Sequence, residues 1–229
     1  MHSVLPWDWY RDPRVLAVEE RLLFRPSWQY VGPLECLQRP GDQMVGRLLR
    51  VPVVVVRDGD GELRGFLNVC RHRGSLVGPG RYELTAGTHR LSHRAPVRRA
   101  AGPAADPAAS LAAGSVTAGS YHLLLPNVKI NINPGRQNLS IGPVYPDGTD
   151  RTAGFLDYYF GADADEAWIG QMMAFDTEVG DQDAALVAAA QAGVAGSWID
   201  RGRILPQERL LADFQRYVYA ACAGEVAPG

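Results

Sequence analysis

Lysine is almost missing from this chain. Of its 23 basic residues only Lys129 is lysine and the rest are arginine, a bias that a GC-rich coding sequence explains and no physical demand requires. Against 25 acidic residues the formal net charge is −2, with a pI near 6.2. No basic surplus exists to draw nucleic acid or an anionic membrane. No apolar run approaches the roughly 20 residues needed to cross a bilayer. Met1–Trp7 has no basic stretch followed by an apolar core, so neither a membrane span nor a secretory signal is expected. Cysteine is scarce and odd in number, at Cys36, Cys70 and Cys222. Three scattered thiols give no disulfide framework and point to a reducing, cytoplasmic setting. Aromatic residues vanish between Tyr82 and Tyr121, and Ala95–Gly119 is dominated by alanine interrupted by Pro96, Pro103 and Pro107. Prolines at that density break a helix, and too few large apolar side chains remain to offset ordering entropy. Residues 83–120 are therefore expected to be a disordered connector.

What is present on either side is patterned. Asp12-Pro13 is an N-cap followed by proline at the first helical position, and Val15, Leu16, Val18, Leu22 and Leu23 give that helix an apolar face up to Phe24, with Pro26 as its stop. Short strands are predicted at Trp28–Val31, Gln43–Leu49, Pro52–Arg57 and Leu63–Asn68. The last two are joined by Asp58-Gly59-Asp60-Gly61, a hairpin signal. Beyond the connector, Val128–Asn133, Leu139–Tyr145 and Thr152–Phe160 read as antiparallel strands, with the turn Pro146–Asp150 between the last two. A helix is predicted over Asp181–Gln191, where Asp183, Leu186, Val187 and Ala190 fall on one face expected to be buried. A final helix covers Pro206–Cys222. Trp28, Trp168, Trp198 and Tyr158–Phe160 are expected in the core. The class is α+β.

The most informative segment is Cys70-Arg71-His72-Arg73-Gly74-Ser75, placed directly behind the hairpin. Cys-x-His sets a thiolate and an imidazole on one tight loop, within reach of one iron or two. With Ser27–Gly32, Pro40-Gly41-Asp42, Val51–Asp58 and Phe66–Val69 before it, this stretch resembles the N-terminal Rieske domain of the large (alpha) subunits of aromatic-ring-hydroxylating oxygenases. The end of the chain resembles the end of their catalytic domain. It carries Leu125-Pro126-Asn127, Asp157-Tyr158-Tyr159-Phe160, Val179–Asp183, Gln191-Ala192-Gly193 with Ser197, Gly202-Arg203-Ile204, and Glu208 with Phe214.

The resemblance implies an antiparallel Rieske β-domain over residues 1–82 and a helix-grip sheet over 121–229, both partial. It implies an oxidoreductase that takes electrons from a reductase or ferredoxin and activates O2 beside a small organic substrate, as in aromatic hydrocarbon catabolism, in a homo-oligomer. Its cofactors would be a [2Fe–2S] cluster, held by two Cys on one iron and two His on the other, and a mononuclear Fe(II) in a triad of two His and one carboxylate. Cys70 and His72 map to cluster ligands and Asp183 to the triad carboxylate. A helix-start carboxylate stabilised by the N-terminal dipole is the alternative for Asp183.

Departures from the family pattern are as informative. The second Cys-x2-His pair should fall near residues 88–93, where the chain reads Thr88-His89-Arg90-Leu91-Ser92-His93. His89 and His93 could substitute only by trading a thiolate for an imidazole, which removes a negative charge from the ferric site; otherwise they are solvated loop residues. The helix bearing the two iron histidines is absent before Tyr121, and His122 reads as a strand-edge residue. On the order of a hundred residues are missing. With one choice of codons, Val97–Gly102 read one base out of frame gives Ser-Asp-Gly-Arg-Leu, which resembles the family's continuation. The chain is thus expected to be a frameshifted, internally deleted alpha subunit with impaired oxygenase chemistry. The alternatives are a non-catalytic remnant that at most binds related subunits, and a metal-free small-molecule binding module.

Overall fold

The computed structural model describes residues 5–69, 93–96, 116–162, 164–196 and 202–226. The chain opens on a 3-10 turn, Trp7–Tyr10, and then α1, Pro13–Glu19. The Asp12 carboxylate accepts the Arg14 N–H at 2.8 Å and Pro13 occupies the first turn, so the predicted cap is the one used. The helix then widens into a π turn over Glu20–Phe24. Val15, Leu16 and Leu23 are buried, as the apolar pattern requires.

The predicted strand at Trp28–Val31 does not form; the segment pairs with no strand. Trp28, expected in the core, is 97% exposed. Its neighbours Gln29 and Tyr30 give the reason, because their side chains are bonded to the C-terminal sheet and leave the indole outside.

Two antiparallel sheets follow. β1 (Gln43–Leu48), β2 (Val51–Arg57) and β3 (Leu63–Leu67) pair in that order. The β2–β3 hairpin forms where the Asp-Gly-Asp-Gly signal placed it. The Asp58 carboxylate accepts the N–H groups of Asp60 at 3.0 Å and Glu62 at 2.9 Å, and Gly61 takes the left-handed φ of 83°. Every residue of β3 is exposed, including Phe66 and Leu67. The second sheet has β4 (His93–Pro96), β5 (Ala118–Leu124), β6 (Val128–Ile132), β7 (Asn138–Pro146) and β8 (Thr152–Gly154) in order, with β9 (Asp157–Phe160) on the first half of β7. Part of the expected connector is therefore strand. His93–Pro96 pairs with Ala118–Tyr121, and Val116 bridges Gly135. The remainder of 83–120 lies outside the described residues.

The single strand expected over Thr152–Phe160 is two. β8 pairs with Val144–Pro146 and β9 with Asn138–Ile141, and the chain steps aside between them at Phe155-Leu156. There the Phe155 carbonyl crosses Gly142 so closely that any Cβ would collide with it.

The next helix, α2, runs from Glu166 to Gly196, 31 residues rather than the 11 predicted. It starts early because the Asp165 carboxylate caps it, accepting the Trp168 N–H at 2.8 Å. Its alanine-rich second half sustains it through Gly180 and Gly193. The face expected to be buried with Asp183 is largely open, since Leu186 is 70% and Val187 43% exposed. The half-buried stripe instead follows Ile169, Asp176, Val179, Asp183 and Val194, beside buried Met172. Nor is Asp183 a helix-start residue. It lies 17 residues beyond Glu166, about 26 Å along the axis and out of range of the N-terminal dipole.

The last helix, α3 (Arg209–Cys222), buries Ala212, Gln215, Val218 and Cys222. With Leu5 and Leu23 the last two form a core cluster flanked by Trp9, Phe24, Phe214 and Tyr217. Burial of each such aliphatic side chain contributes about 1.5–3 kcal/mol. Among the described residues no helix is long and apolar enough to cross a membrane.

Candidate metal centres

Cys70, His72 and His89 lie outside the described residues. The chain leaves β3 beside the start of β2, where the buried Asn68 donates its N–H to the Pro52 carbonyl at 2.9 Å, two residues before the Cys-x-His box. A Rieske iron of the thiolate kind needs a second cysteine about 4 Å from the first, given metal–sulfur bonds near 2.3 Å.

The other two cysteines lie among the described residues and are engaged elsewhere. Cys36 is on the 3-10 turn Leu34–Leu37, held to the opposite end of the sheet because the Leu37 carbonyl accepts from the Arg57 guanidinium. Arg57 is five residues from Pro52 along β2, about 16 Å. Cys222 has no exposure and packs with Leu5, Leu23 and Val218, and burial together with the nearby Glu19 carboxylate pushes its thiol up to about 11. Both are free cysteines.

The mononuclear site fares no better. Asp183 sits in the middle of α2, a helix that contains no histidine. His93 and His122 are on adjacent strands of the second sheet, but out of phase. His93 is paired with Tyr121, while His122 is exposed and paired with Ile130. Among the described residues no group of three or more His, Cys, Asp or Glu side chains could hold a metal ion. Among the described residues, therefore, the donors fit neither a four-ligand cluster nor a facial triad.

The polar chemistry that the structure does assemble lies between α2 and the sheet. The Tyr158 hydroxyl donates to Asp176, and burial with that bond raises its pKa. Tyr158 stacks on Phe160 at 6.3 Å between centroids, and Phe160 meets Trp168 edge-on at 6.1 Å. Asn133 and Asn138 are buried and bonded to each other, with the Asn138 amide donating to the Asn133 carbonyl at 2.8 Å. Sequence reasoning did not single out Asp176; its seven-residue spacing from Asp183, two turns on one stripe, was the available signal.

Comparison with known proteins gives the arrangement its context. Residues 70–224 match the family model described as ring hydroxylating alpha subunit (catalytic domain), and residues 27–112 match the Rieske [2Fe-2S] domain. The glycine betaine monooxygenase oxygenase subunit of Chromohalobacter salexigens is 41% identical over 76 residues, 33% of this chain and 17% of that protein. The chloroplastic choline monooxygenase of Amaranthus tricolor is 36% identical over 75 residues, again 33% and 17%. The chlorobenzene dioxygenase subunit alpha of a Cupriavidus species is 38% identical over 68 residues, 30% and 15%. The matched stretch is thus less than a fifth of each relative's length. Among solved structures, the quaternary ammonium Rieske monooxygenase CntA in complex with L-carnitine superimposes with a TM-score of 0.71 at 14% identity, covering 96% of this chain and 95% of the other. That likeness establishes the fold.

Proposed function

This chain belongs to the ring-hydroxylating alpha-subunit family with its Rieske domain, and we propose that it is a shortened alpha subunit whose oxygenase chemistry is impaired. Members of the family take electrons onto a [2Fe–2S] cluster and use them at a mononuclear iron to activate O2. The residues of this chain assigned to those groups are Cys70 and His72 for the cluster and Asp183 for the iron, with His89 and His93 as substitutes. One observation carries the reading. Among the described residues no three His, Cys, Asp or Glu side chains are grouped to hold a metal, Cys36 and Cys222 being engaged at the Arg57 end of the β1–β3 sheet and in the α3 core cluster. The overlap of the two family matches over residues 70–112 also supports an internally compressed chain.

The proposal keeps residues 1–82 as the Rieske part and 121–229 as the catalytic part, a cytoplasmic location, a reductase or ferredoxin as electron donor of the lineage, and a homo-oligomer. Inter-subunit electron transfer has been inferred for CntA from its structure, which supports the oligomer here. Aromatic hydrocarbon catabolism, expected from the sequence, is not specifically supported. Betaine and choline monooxygenases stand beside the aromatic dioxygenases among the relatives. A small quaternary ammonium compound is the substrate class we favour for the lineage.

Iron content tests the proposal. The full complement would be about three irons per chain, two in the cluster and one mononuclear. Purified anaerobically and offered ferrous iron and sulfide, this chain is expected to stay colourless with well under one iron bound. A brown product with Rieske absorption and two or three irons per chain refutes impairment.

A further inference from the structure

Three Asp-Gly dipeptides occur in the chain, Asp58-Gly59, Asp60-Gly61 and Asp147-Gly148, all in turns between strands. Glycine has no side chain to shield its amide nitrogen, so that nitrogen can attack the carboxyl carbon of the aspartate before it. The C–N bond forms, the carboxyl hydroxyl leaves with the amide proton as water, and a five-membered succinimide results. Water then opens the ring. Where it breaks the bond from nitrogen to the main-chain carbonyl, the chain continues through the side chain as isoaspartate. One water leaves and one returns, so mass and oxidation state are unchanged. In a folded chain the step needs a nitrogen free of other bonds and a carboxyl free to turn onto it.

The β2–β3 turn meets neither need. The Asp58 carboxylate is clamped, one oxygen accepting the N–H groups of Asp60 at 3.0 Å and Glu62 at 2.9 Å and the other the Arg64 guanidinium. Those bonds, the one from Arg64 first, hold it below the usual carboxylate range and so away from the neutral acid that can lose hydroxide. Asp60 is exposed, but the nitrogen it needs is taken, because the Gly61 N–H donates to the Asp58 carbonyl at 3.1 Å. Attack would first have to break that bond.

The β7–β8 turn differs at both points. It is closed by the Asp147 N–H donating to the Arg151 carbonyl at 2.9 Å, and the Thr149 carbonyl accepts the Gln191 amide at 3.4 Å. Both bonds bypass the Gly148 N–H, and among the described residues no acceptor takes it. The Asp147 carboxylate meets Arg151 at 3.5 Å and Arg47 at 4.0 Å, both longer than an ordinary hydrogen bond, with 43% of its side chain exposed. No backbone atom crowds Gly148; a Cβ there would meet only an Asp150 carboxylate oxygen, at 3.4 Å.

We propose that Asp147-Gly148 is a site of spontaneous covalent modification, closing to a succinimide and opening to isoaspartate in the folded chain, while the fold protects both Asp-Gly pairs of the β2–β3 turn. The modification adds one atom to the main chain next to the pairing of Pro146 with Thr152, the last of the β7–β8 register. It also moves the carboxylate that faces Arg47 and Arg151.

The test ages the whole chain at neutral pH and maps it with trypsin. Cleavage after arginine gives residues 58–64, which hold two of the pairs, and residues 137–151, which hold the third. An isoaspartyl peptide keeps the parent mass but elutes apart from it, and electron-transfer fragmentation identifies the residue. In the folded chain isoaspartate should accumulate in 137–151 at least threefold faster than in 58–64. A sample aged in urea is the unfolded reference, and there the ratio should fall to one or below. Asp147→Glu, whose longer side chain would have to close a six-membered ring, should remove the signal from 137–151. A smaller ratio in the folded chain, no isoaspartate there at all, or isoaspartate at Asp150 in place of Asp147 overturns the proposal. So does a threefold ratio that survives in urea, because sequence and not fold would then set it.

Discussion

Glu19 is a titratable group whose environment alters the stability of this chain near neutral pH. It ends α1 where the helix opens into the π turn, and it faces the seam with α3. Burial raises its carboxyl from an ordinary 4.5 to about 7, and its charge contributes to the raised values of Tyr10 and Cys222 across the seam. Between those two pH values the folded chain keeps a proton that the unfolded chain has released. Stability therefore falls as pH rises through that window, and the loss is complete above about 7. A shift of about 2.5 units corresponds to roughly 3 kcal/mol. Glu19 is only partly shielded from solvent, so about half of that, 1–2 kcal/mol, is the expected cost of its charge. Glu19→Gln removes the charge and keeps the shape. Thermal unfolding followed by circular dichroism should show the variant melting about 3–6 °C above the parent at pH 8, given roughly 2–4 °C per kcal/mol for a chain of this size. At pH 4.5 the two should coincide. Equal melting temperatures at pH 8, or an offset that does not change with pH, would refute the burial argument.

Two further substitutions separate backbone crowding from backbone freedom. Gly142→Ala drives a methyl into the Phe155 carbonyl and should destabilise by about 1–3 kcal/mol in urea unfolding. Gly180→Ala, inside α2 with nothing within 4 Å of the new methyl, should stabilise by roughly 0.5–1 kcal/mol. Asp12→Ala removes the cap of α1 and its bonds to Arg14. It should cost about 1 kcal/mol by the same assay, with no change in iron content.

Local chemistry made much of the fold readable. Asp12-Pro13, Asp58–Gly61 and the turn at Pro146–Asp150 each encode their own geometry within a few residues, and each formed where the spacing put it. Most failures depend on contacts distant in sequence, the early start of α2 at its local Asp165 cap being the exception. Trp28 reads as core because it is a large apolar residue, and only the bonds of Gln29 and Tyr30 to residues more than 90 positions away turn it outward. The break between β8 and β9 is set by Gly142 on another strand. The face of α2 that carries Leu186 and Val187 has the period of a buried stripe, but period reports amphipathicity and not whether anything covers it.

The same division governs the site. A Cys-x-His box is a local object, so half a signature could be seen at once, and its family matches over residues 27–112. Whether the other half has been replaced is a question about convergence in space. Sequence leaves Cys36 and Cys222 as candidate thiolates, because chain distance alone excludes neither. In the fold both are engaged elsewhere, in different ways. Cys36 is fastened to the Arg57 end of a sheet whose Pro52 end leads to the box, and Cys222 is consumed by the packing of α3 against the first helix. The helix seam that Glu19 weakens at high pH is therefore the same contact that withholds Cys222 from metal. Opening it by raising pH, or by an α3 substitution, would expose that thiol. On the family's pattern the missing ligand pair belongs near residues 88–93, so repair of the proposed defect starts there.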